Sequence, residues 1–435
     1  MSGMDAEVPK EQGVRARLMA LAFAPGHPAV GEGFPGASLA GIELPGATLR
    51  RADLSGADLT RADFTDASCG GMKLAGASLE QATLARADLT AADLTRVRGG
   101  QAGFSGALLE DAVLDGGAFR FSHFDDAVLD GASLVGVDLW GAVLTGVSAE
   151  RACLRDAHLD EAKAVGGHFR GADLSGASLR RADLSGVGLQ GAVLRGANLD
   201  GACLRGADLT HAVLPFVDLT NCDLVHVRLA DAWLERTRMT VAQLGGAVGE
   251  EVAGEYAAAY DAYTALELNF RSLGRGDDES WAYRRRRRMG KLAHRALVRG
   301  AFARRLTLSS LLAACRHGWS WFVDGFVEWL SDYGESLPRV FRAIVVVLLV
   351  FAAAFWVTGG LAPREDMPES LHRGWAVQVL DHLLFSLNSM TTVGPGQVEL
   401  KPVSELAVLL SSLETVFGTV LIGLFGFVLG ARMRR

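Results

Sequence analysis

Cysteine is scarce in this chain of 435 residues, and its five cysteines stand far apart. None of them forms a CxxC pair, so the sequence has neither the spacing of a zinc site nor that of a disulfide framework. No nucleophile and base stand in a catalytic arrangement, and no cluster of metal ligands is visible. We therefore expect no enzyme activity and no cofactor. A Gly-rich nucleotide-binding motif is also absent.

Strong charge of one sign is missing as well. The formal net charge is −7, which is too mild for a dedicated nucleic-acid binder. The N-terminus has no apolar run followed by a small-residue cleavage site, so we expect no secretory signal peptide. The N-terminal part of the chain is accordingly expected in the cytoplasm.

A five-residue repeat occupies almost half of the chain. At every fifth position from Leu39 to Leu244, 37 of 42 residues are Leu or Phe, and two positions earlier 29 of 42 are Ala. A period of five matches neither the 3.6 residues of a helix nor the two of a strand, so a repeat architecture is predicted. The exceptions at the first position are Cys69, Gly99, Ala149, Ala164 and Met239.

Each pentapeptide is predicted to form one side of a square coil. The large apolar residue and the small residue two before it point inward, and the other three positions face water, as in residues 52–56, Ala-Asp-Leu-Ser-Gly. Stacked coils pair at about 4.8 Å, so roughly ten coils make a rod about 50 Å long. The repeat resembles the pentapeptide-repeat family, which implies a right-handed quadrilateral β-helix over residues 37–246, after an N-terminal segment or cap at 1–36.

This resemblance leaves the function of the rod open. Some members of the family mimic DNA and bind topoisomerases, which requires a strongly anionic face, but arginines interrupt the acidic side chains here. We expect a rigid spacer, or a rod that docks a cytoplasmic protein partner. No nucleic acid is expected as a partner.

Residues 247–338 are predicted to form cytoplasmic helices. The apolar spacing from Glu250 to Phe270 fits one helical face, and Gly274 separates this helix from a second one, completing a helical hairpin. Residues 284–316 then hold eleven basic and no acidic side chains. Alone, this stretch would indicate a nuclear-localisation or nucleic-acid patch, but ahead of a membrane span it favours a juxtamembrane segment that binds anionic lipid. The predicted lipid-facing residues are Arg284, Arg285, Arg286, Arg287 and Arg288.

Two apolar runs near the C-terminus are each long enough to cross a hydrocarbon core of about 30 Å. Ala343 to Val357 carries no charge, and Leu406 to Ala431 carries one, Glu414. Arginines precede the first run and follow the second, which predicts that both termini are cytoplasmic and that residues 363–404 are external. We expect a multi-pass protein of the cell (inner) membrane.

A shorter apolar segment, Val377 to Met390, lies between these runs. At about 14 residues it is too short to span a bilayer, so we predict a re-entrant pore helix. Irregular backbone at membrane depth is tolerated where it lines a water-filled cavity. Gly394 and Gly396 in the following loop permit the positive φ that turns successive carbonyls toward one axis. One chain supplies one such loop, so a closed ring needs several chains.

The loop resembles the TTVGYG filter of potassium channels, and residues 340–431 resemble the two-helix bacterial potassium-channel family. This implies a homotetramer that passes K⁺. Pro395 stands where the family has Tyr or Phe, and Gln397 where it has Asp. Both changes weaken the case for K⁺ selectivity, so we keep the alternative of a pore that also passes Na⁺. The predicted filter residues are Thr391, Thr392, Val393, Gly394, Pro395 and Gly396.

Two residues of the inner helix are predicted to support the pore. Glu414 is costly in a membrane span. It either bonds to Ser386, Ser389 or Thr391 behind the pore helix, which we favour, or lines the inner cavity. Gly418 matches the gating-hinge glycine of the channel family.

The leading hypothesis is a homotetrameric, potassium-channel-like cation channel with a cytoplasmic pentapeptide-repeat rod for docking or gating. The alternative is a membrane-anchored pentapeptide-repeat scaffold that conducts nothing. A soluble topoisomerase inhibitor is disfavoured by the two spans. The pore domain is predicted at 339–435, with an outer helix at 340–360, a pore helix at 377–390, the filter at 391–396 and an inner helix at 405–431.

Overall fold

The computed structural model describes residues 8–24, 30–303, 323, 325–331, 336–363, 375–391 and 400–433. The chain divides into two compact units, Met1–Gly290 and Lys291–Arg435. Residues 325–331 are helical. The other elements after the first helix α1 (Val8–Ala22) are a 3-10 helix (Val241–Leu244), α2 (Gly249–Val252), α3 (Tyr256–Ser272), α4 (Gly276–Ala303), α5 (Leu337–Thr358), β1 (Leu361–Pro363), α6 (Trp375–Thr391), β2 (Leu400–Pro402) and α7 (Glu405–Met433).

The repeat forms a coil whose successive turns are joined by parallel backbone pairs. These pairs recur every five residues and join residue i to residue i + 20, as between Asp53 and Lys73. Four five-residue sides therefore complete one turn. The N–H of Leu54 donates to the carbonyl oxygen of Lys73 at 2.8 Å, so each turn is hydrogen-bonded to the next. Leu54 and Ala52 are fully buried, which confirms the predicted inward positions and the β-helix.

Almost every corner of the coil places one residue in the left-handed region. Glycine adopts it readily, as at Gly56 with φ 67°, but many other residues also adopt it, as Arg51 does at φ 57°. The outward aspartates stabilise these corners, because Asp53 Oδ1 accepts the N–H of Ser55 at 3.0 Å. The same bond recurs along the rod. Polar outward positions thus support the turn as well as solubility.

The core explains one of the exceptions to the repeat. Gly99 stands at an inward position where Leu is usual, and Phe119 occupies the same position one turn later. A Cβ at Gly99 would lie 2.7 Å from the Phe119 ring. That ring also packs edge-on against Phe104 and Phe124, at 5.7 and 5.8 Å between centroids. The missing side chain at position 99 therefore makes room for an aromatic cluster.

Side chains of α2 and α3 close the C-terminal end of the rod. The N–H groups of Leu229 and Ala230 donate to Glu250 Oε1 at 2.7 Å each. Asn269 accepts the N–H of Thr237 and donates to its carbonyl oxygen. Among these groups, the N–H of Leu229 and the carbonyl oxygen of Thr237 correspond to those that pair with the next turn elsewhere in the rod. Burial raises the pKa of the Glu250 carboxyl, and the backbone N–H donors oppose that shift.

The helix predicted from Glu250 to Phe270 is wrong at its N-terminal end. α2 ends at Val252, Gly254 adopts φ 77°, and α3 begins only after this break. Glycine permits that conformation at little cost, so α2 can cap the rod while α3 takes a different course. Of the apolar face expected for this segment, Tyr263, Leu266 and Phe270 are buried along α3, and Tyr256 and Tyr260 are half-buried.

In the second unit, α5 and α7 are each long and apolar enough to cross a membrane. α5 ends before Gly359, which adopts φ 58°, and the chain continues into β1. β1 pairs antiparallel with β2, with Ala362 opposite Lys401 and Pro363 opposite Leu400. The end of α5 and the start of α7 therefore lie together, and α6 packs against both helices.

Candidate functional site between helices α5, α6 and α7

The contacts of α6 with α5 and α7 show in which direction α6 runs along these two helices. Phe385 packs edge-on against Phe355 near the end of α5, at 5.2 Å between ring centroids. Ala407 at the start of α7 belongs to the same buried cluster. Five residues later on α6, Met390 lies in a second buried cluster with Leu421 of α7. α6 therefore runs from the β1–β2 pair toward the middle of α7.

The C-terminal end of α6 meets α7 at Gly418. A Cβ at this position would lie 2.2 Å from the backbone carbonyl oxygen of Met390. By contrast, a Cβ at Gly423 or Gly426 of the same helix would have nothing within 4 Å. From Ala407 to Gly418 the rise along α7 is about 16 Å. Gly418, predicted as a hinge, is thus a position of close helix packing within the uninterrupted helix α7.

Buried polar side chains join α6 to both neighbours. Ser386 and Glu414 are fully buried. The Ser386 hydroxyl contacts Glu414 Oε1 and lies 3.0 Å from the carbonyl oxygen of Leu348 on α5. Of the three partners considered for Glu414, Ser386 is the one that it contacts. The carbonyl oxygen of Ser389 instead accepts the hydroxyl of Thr415 at 3.0 Å.

The predicted filter begins at the last residue of α6. The hydroxyl of Thr391 donates to the carbonyl oxygen of Leu387 at 2.8 Å, so it is used within its own helix. The described chain resumes at Leu400 in β2. The other predicted filter residues, which lie outside the described residues, are Thr392, Val393, Gly394, Pro395 and Gly396.

The face of α7 that receives α6 carries small residues. Ala407, Ser411, Thr415 and Gly418 follow one another at spacings of four, four and three, which keeps them on one helical face. Small residues let neighbouring helices approach closely in membranes. Sequence reasoning singled out Gly418 alone and missed Ser411 and Thr415, although this spacing was visible.

The five arginines predicted to face lipid occupy different environments in α4. Arg285 pairs with Glu251 at 2.6 Å, and Arg286 pairs with Glu267 at 2.9 Å. Both guanidinium groups are thus used within the first unit. Arg288 is exposed and is the most accessible of the five, so lipid contact stays a prediction that depends mainly on it. Arg284 and Arg287 are half-buried.

Metal ligands are not clustered in the described part of the chain, and two of its cysteines are buried. No three His, Cys, Asp or Glu side chains there are grouped so that they could hold a metal ion. Burial raises the pKa of the Cys69 and Cys222 thiols to about 12. Both thiols therefore stay protonated at neutral pH, and a protonated thiol is a poor nucleophile.

The sequence model of pentapeptide repeats matches the chain in eight copies between residues 34 and 240. These residues form a pentapeptide-repeat domain. The match agrees with the turns of the β-helix and ends just before the 3-10 helix. These copies fall within the partly overlapping ranges 34–66, 62–98, 102–141, 122–160, 152–190, 172–210 and 202–240.

Solved structures similar to the pentapeptide-repeat domain include full-length QnrB1, a plasmid-mediated fluoroquinolone resistance protein. It is 19% identical over 42% of this chain and 93% of its own, with a TM-score of 0.27. HetL from the cyanobacterium Nostoc sp. strain PCC 7120 is involved in heterocyst differentiation regulation. It is 31% identical over 45% of this chain and 89% of its own, with a TM-score of 0.20. These scores are too low for an argument about function. The comparison with curated proteins finds no match.

Proposed function

We propose that this chain is one subunit of a homotetrameric cation channel, similar to potassium channels, in which the pentapeptide-repeat domain is a cytoplasmic rod for docking or gating. One observation carries the proposal. A short helix enters between two helices of membrane-spanning length, and it ends at Thr391, directly before the sequence Thr-Val-Gly-Pro-Gly.

The course of the chain around α6 supports a re-entrant segment. The chain leaves the β1–β2 pair at Pro363 and returns to it at Leu400, directly opposite Pro363. Between these points α6 reaches Gly418, about 16 Å along α7 from Ala407. In lipid, backbone that has left a helix needs hydrogen-bond partners, and a water-filled cavity with a permeant ion supplies them.

The surfaces of α5 and α7 support a place in the membrane. Their side chains include large apolar groups that no described residue covers, such as Val357, 82% exposed, and Phe427, 69% exposed. Lipid or neighbouring subunits would cover these groups. Arg339 and Arg342 lie in the first two turns of α5, and arginines follow α7, which fits cytoplasmic termini in a cell membrane.

Each chain supplies one loop, so a closed ring needs several chains, and the resemblance to potassium channels implies four. Four copies would form a closed ring of carbonyl groups around K⁺. Pro395 has no N–H and no aromatic ring, and Gln397 lacks the charge of Asp. We therefore expect K⁺ to pass with weaker exclusion of Na⁺ than in potassium channels. Anionic lipid near Arg288 and a cytoplasmic protein on the rod are the proposed partners.

A membrane-anchored scaffold that conducts nothing is the second candidate. It is favoured by the pentapeptide-repeat domain, which is the part of the chain that a family model matches. Both candidates need α5 and α7 in the membrane, whereas only the channel needs the loop after Thr391. A substitution in this loop therefore separates them.

Gly396→Ala should reduce K⁺ flux through reconstituted protein to the background of empty liposomes. A Cβ disfavours the positive φ that the proposed filter requires at this position. Gly426→Ala is the matched control, because a Cβ there has nothing within 4 Å, and it should keep wild-type flux. Both variants should remain tetrameric by mass measurement in detergent. Equal flux in Gly396→Ala and wild type would contradict the channel, and absence of flux in every tetrameric protein would favour the scaffold.

A further inference from the structure

Ser386 has one hydroxyl hydrogen but two oxygen atoms beside it. Its Oγ lies 3.0 Å from the carbonyl oxygen of Leu348 on α5 and contacts Glu414 Oε1 on α7. A hydroxyl group donates one hydrogen bond and accepts others. Ser386 can therefore donate to only one of these two oxygens, and the second contact needs a hydrogen from another source.

Only Glu414 can supply that hydrogen. The carbonyl oxygen of Leu348 has none, whereas a protonated carboxyl group has one O–H donor. With a proton on Oε1, Glu414 donates to Ser386 Oγ, and Ser386 donates to the Leu348 carbonyl. Both contacts are then hydrogen bonds. With Glu414 ionised, one of them would bring together two oxygens with no hydrogen between them.

The surroundings of Glu414 also disfavour a negative charge. The side chain is fully buried, and its Oε2 has no hydrogen-bond partner among the described residues. A buried charge is costly unless it is paired and hydrogen-bonded. No other charged or titratable side chain described on the three helices or on β2 forms an ion pair or other charge interaction with Glu414. These side chains are Arg339, Arg342, Asp381, His382, Lys401 and Glu405.

We propose that Glu414 is a buried proton-binding site, and that its proton completes a hydrogen-bond chain from α7 through Ser386 on α6 to Leu348 on α5. The chain fastens three helices at one level of the unit. It exists only while the proton is bound, so this unit is stabilised at lower pH and weakened as rising pH removes the proton. The proposal concerns the packed helices and holds or fails independently of ion conduction.

Infrared spectroscopy of the full-length protein in lipid at neutral pH tests the proton directly. A protonated carboxyl group gives a C=O stretching band distinct from that of a carboxylate, and the band shifts in D₂O. We expect this band to decrease in Glu414→Gln relative to wild type. Glu405→Gln is the control, because Glu405 is an exposed residue of the same helix, and it should leave the band unchanged. An identical band in wild type and Glu414→Gln would overturn the proposal.

Thermal unfolding at several pH values gives a second test. The Gln amide donates a hydrogen bond at every pH, so Glu414→Gln should lose less stability than wild type between neutral and alkaline pH. If that variant fails to fold, Ser386→Ala replaces it. There the acid remains but loses its acceptor, so the C=O band should move without disappearing. A band that Ser386→Ala leaves in place would contradict the hydrogen-bond chain, and so would parallel pH profiles for wild type and Glu414→Gln.

Discussion

Gly418→Ala should separate α6 from α7, while Gly426→Ala, eight residues later on the same helix, should leave the packing intact. The added Cβ at position 418 would lie 2.2 Å from the carbonyl oxygen of Met390, whereas at 426 it would have nothing within 4 Å. A backbone carbonyl cannot rotate away as a side chain can, so one of the helices must move. Overpacking of this kind costs about 1–3 kcal/mol, and we expect the upper part of that range.

The pair is informative because both changes replace glycine by alanine within one helix. Each gains about 1 kcal/mol of helix propensity, so a difference between them reports the contact with α6. Thermal unfolding in detergent should show a lower midpoint for Gly418→Ala and an equal or higher midpoint for Gly426→Ala. Ion flux should fall only in the first variant. If Gly418 were needed only as a hinge, Gly418→Ala would keep the wild-type midpoint, and that outcome would contradict the packing role.

Phe119→Ala should be the most destabilising single truncation in the pentapeptide-repeat domain, and Phe121→Ala, two residues later, should be much less destabilising. Phe119 is fully buried, whereas Phe121 is 46% exposed. Truncating a buried Phe to Ala costs about 3–5 kcal/mol. Gly99 provides no side chain that could fill the space, so the cavity would persist and the cost should reach the upper end. Phe121 loses mainly its edge-on contact with Trp140 at 4.7 Å, worth about 0.5–1.5 kcal/mol.

Urea unfolding of the full chain, followed by the β-sheet signal of circular dichroism, measures both effects. The midpoint should fall sharply for Phe119→Ala and by a small amount for Phe121→Ala, with similar slopes. Equal midpoints for the two variants would mean that the aromatic cluster around Phe119 contributes little to the rod. A large loss in Phe121→Ala alone would contradict the assigned burial.

Sequence reasoning identified the repeat because each pentapeptide meets the same local environment. The inward positions of Leu54 and Ala52 follow from a period that never shifts, and Gly99 is explained once Phe119 is known to lie one turn later. The three helices α5, α6 and α7 begin and end within three residues of the predicted bounds. Long apolar runs and a short helix between them are strong local patterns.

Contacts between distant residues could not be predicted in this way. Glu250 caps backbone groups some twenty residues earlier, and the break at Gly254 that permits it has no local periodic pattern. Arg285 and Arg286 belong to a basic run, but acidic partners on other helices determine where they point. The close approach at Gly418 depends on how α6 packs against α7, which no single segment encodes. The proposed channel rests on the sequence of the loop after Thr391 and on the positions of Thr391 and Leu400, the described residues on either side of it.

The most direct test of the channel is the reversal potential of purified tetramer in a planar bilayer, with KCl on one side and NaCl on the other. A salt-gradient control identifies any chloride current. The proposed channel predicts a cation current that reverses on the potassium side of zero, short of the potassium equilibrium value if Pro395 weakens the exclusion of Na⁺. No cation current from folded tetramer, across voltage and pH and with flux assays equally silent, would contradict the channel and leave the membrane-anchored scaffold.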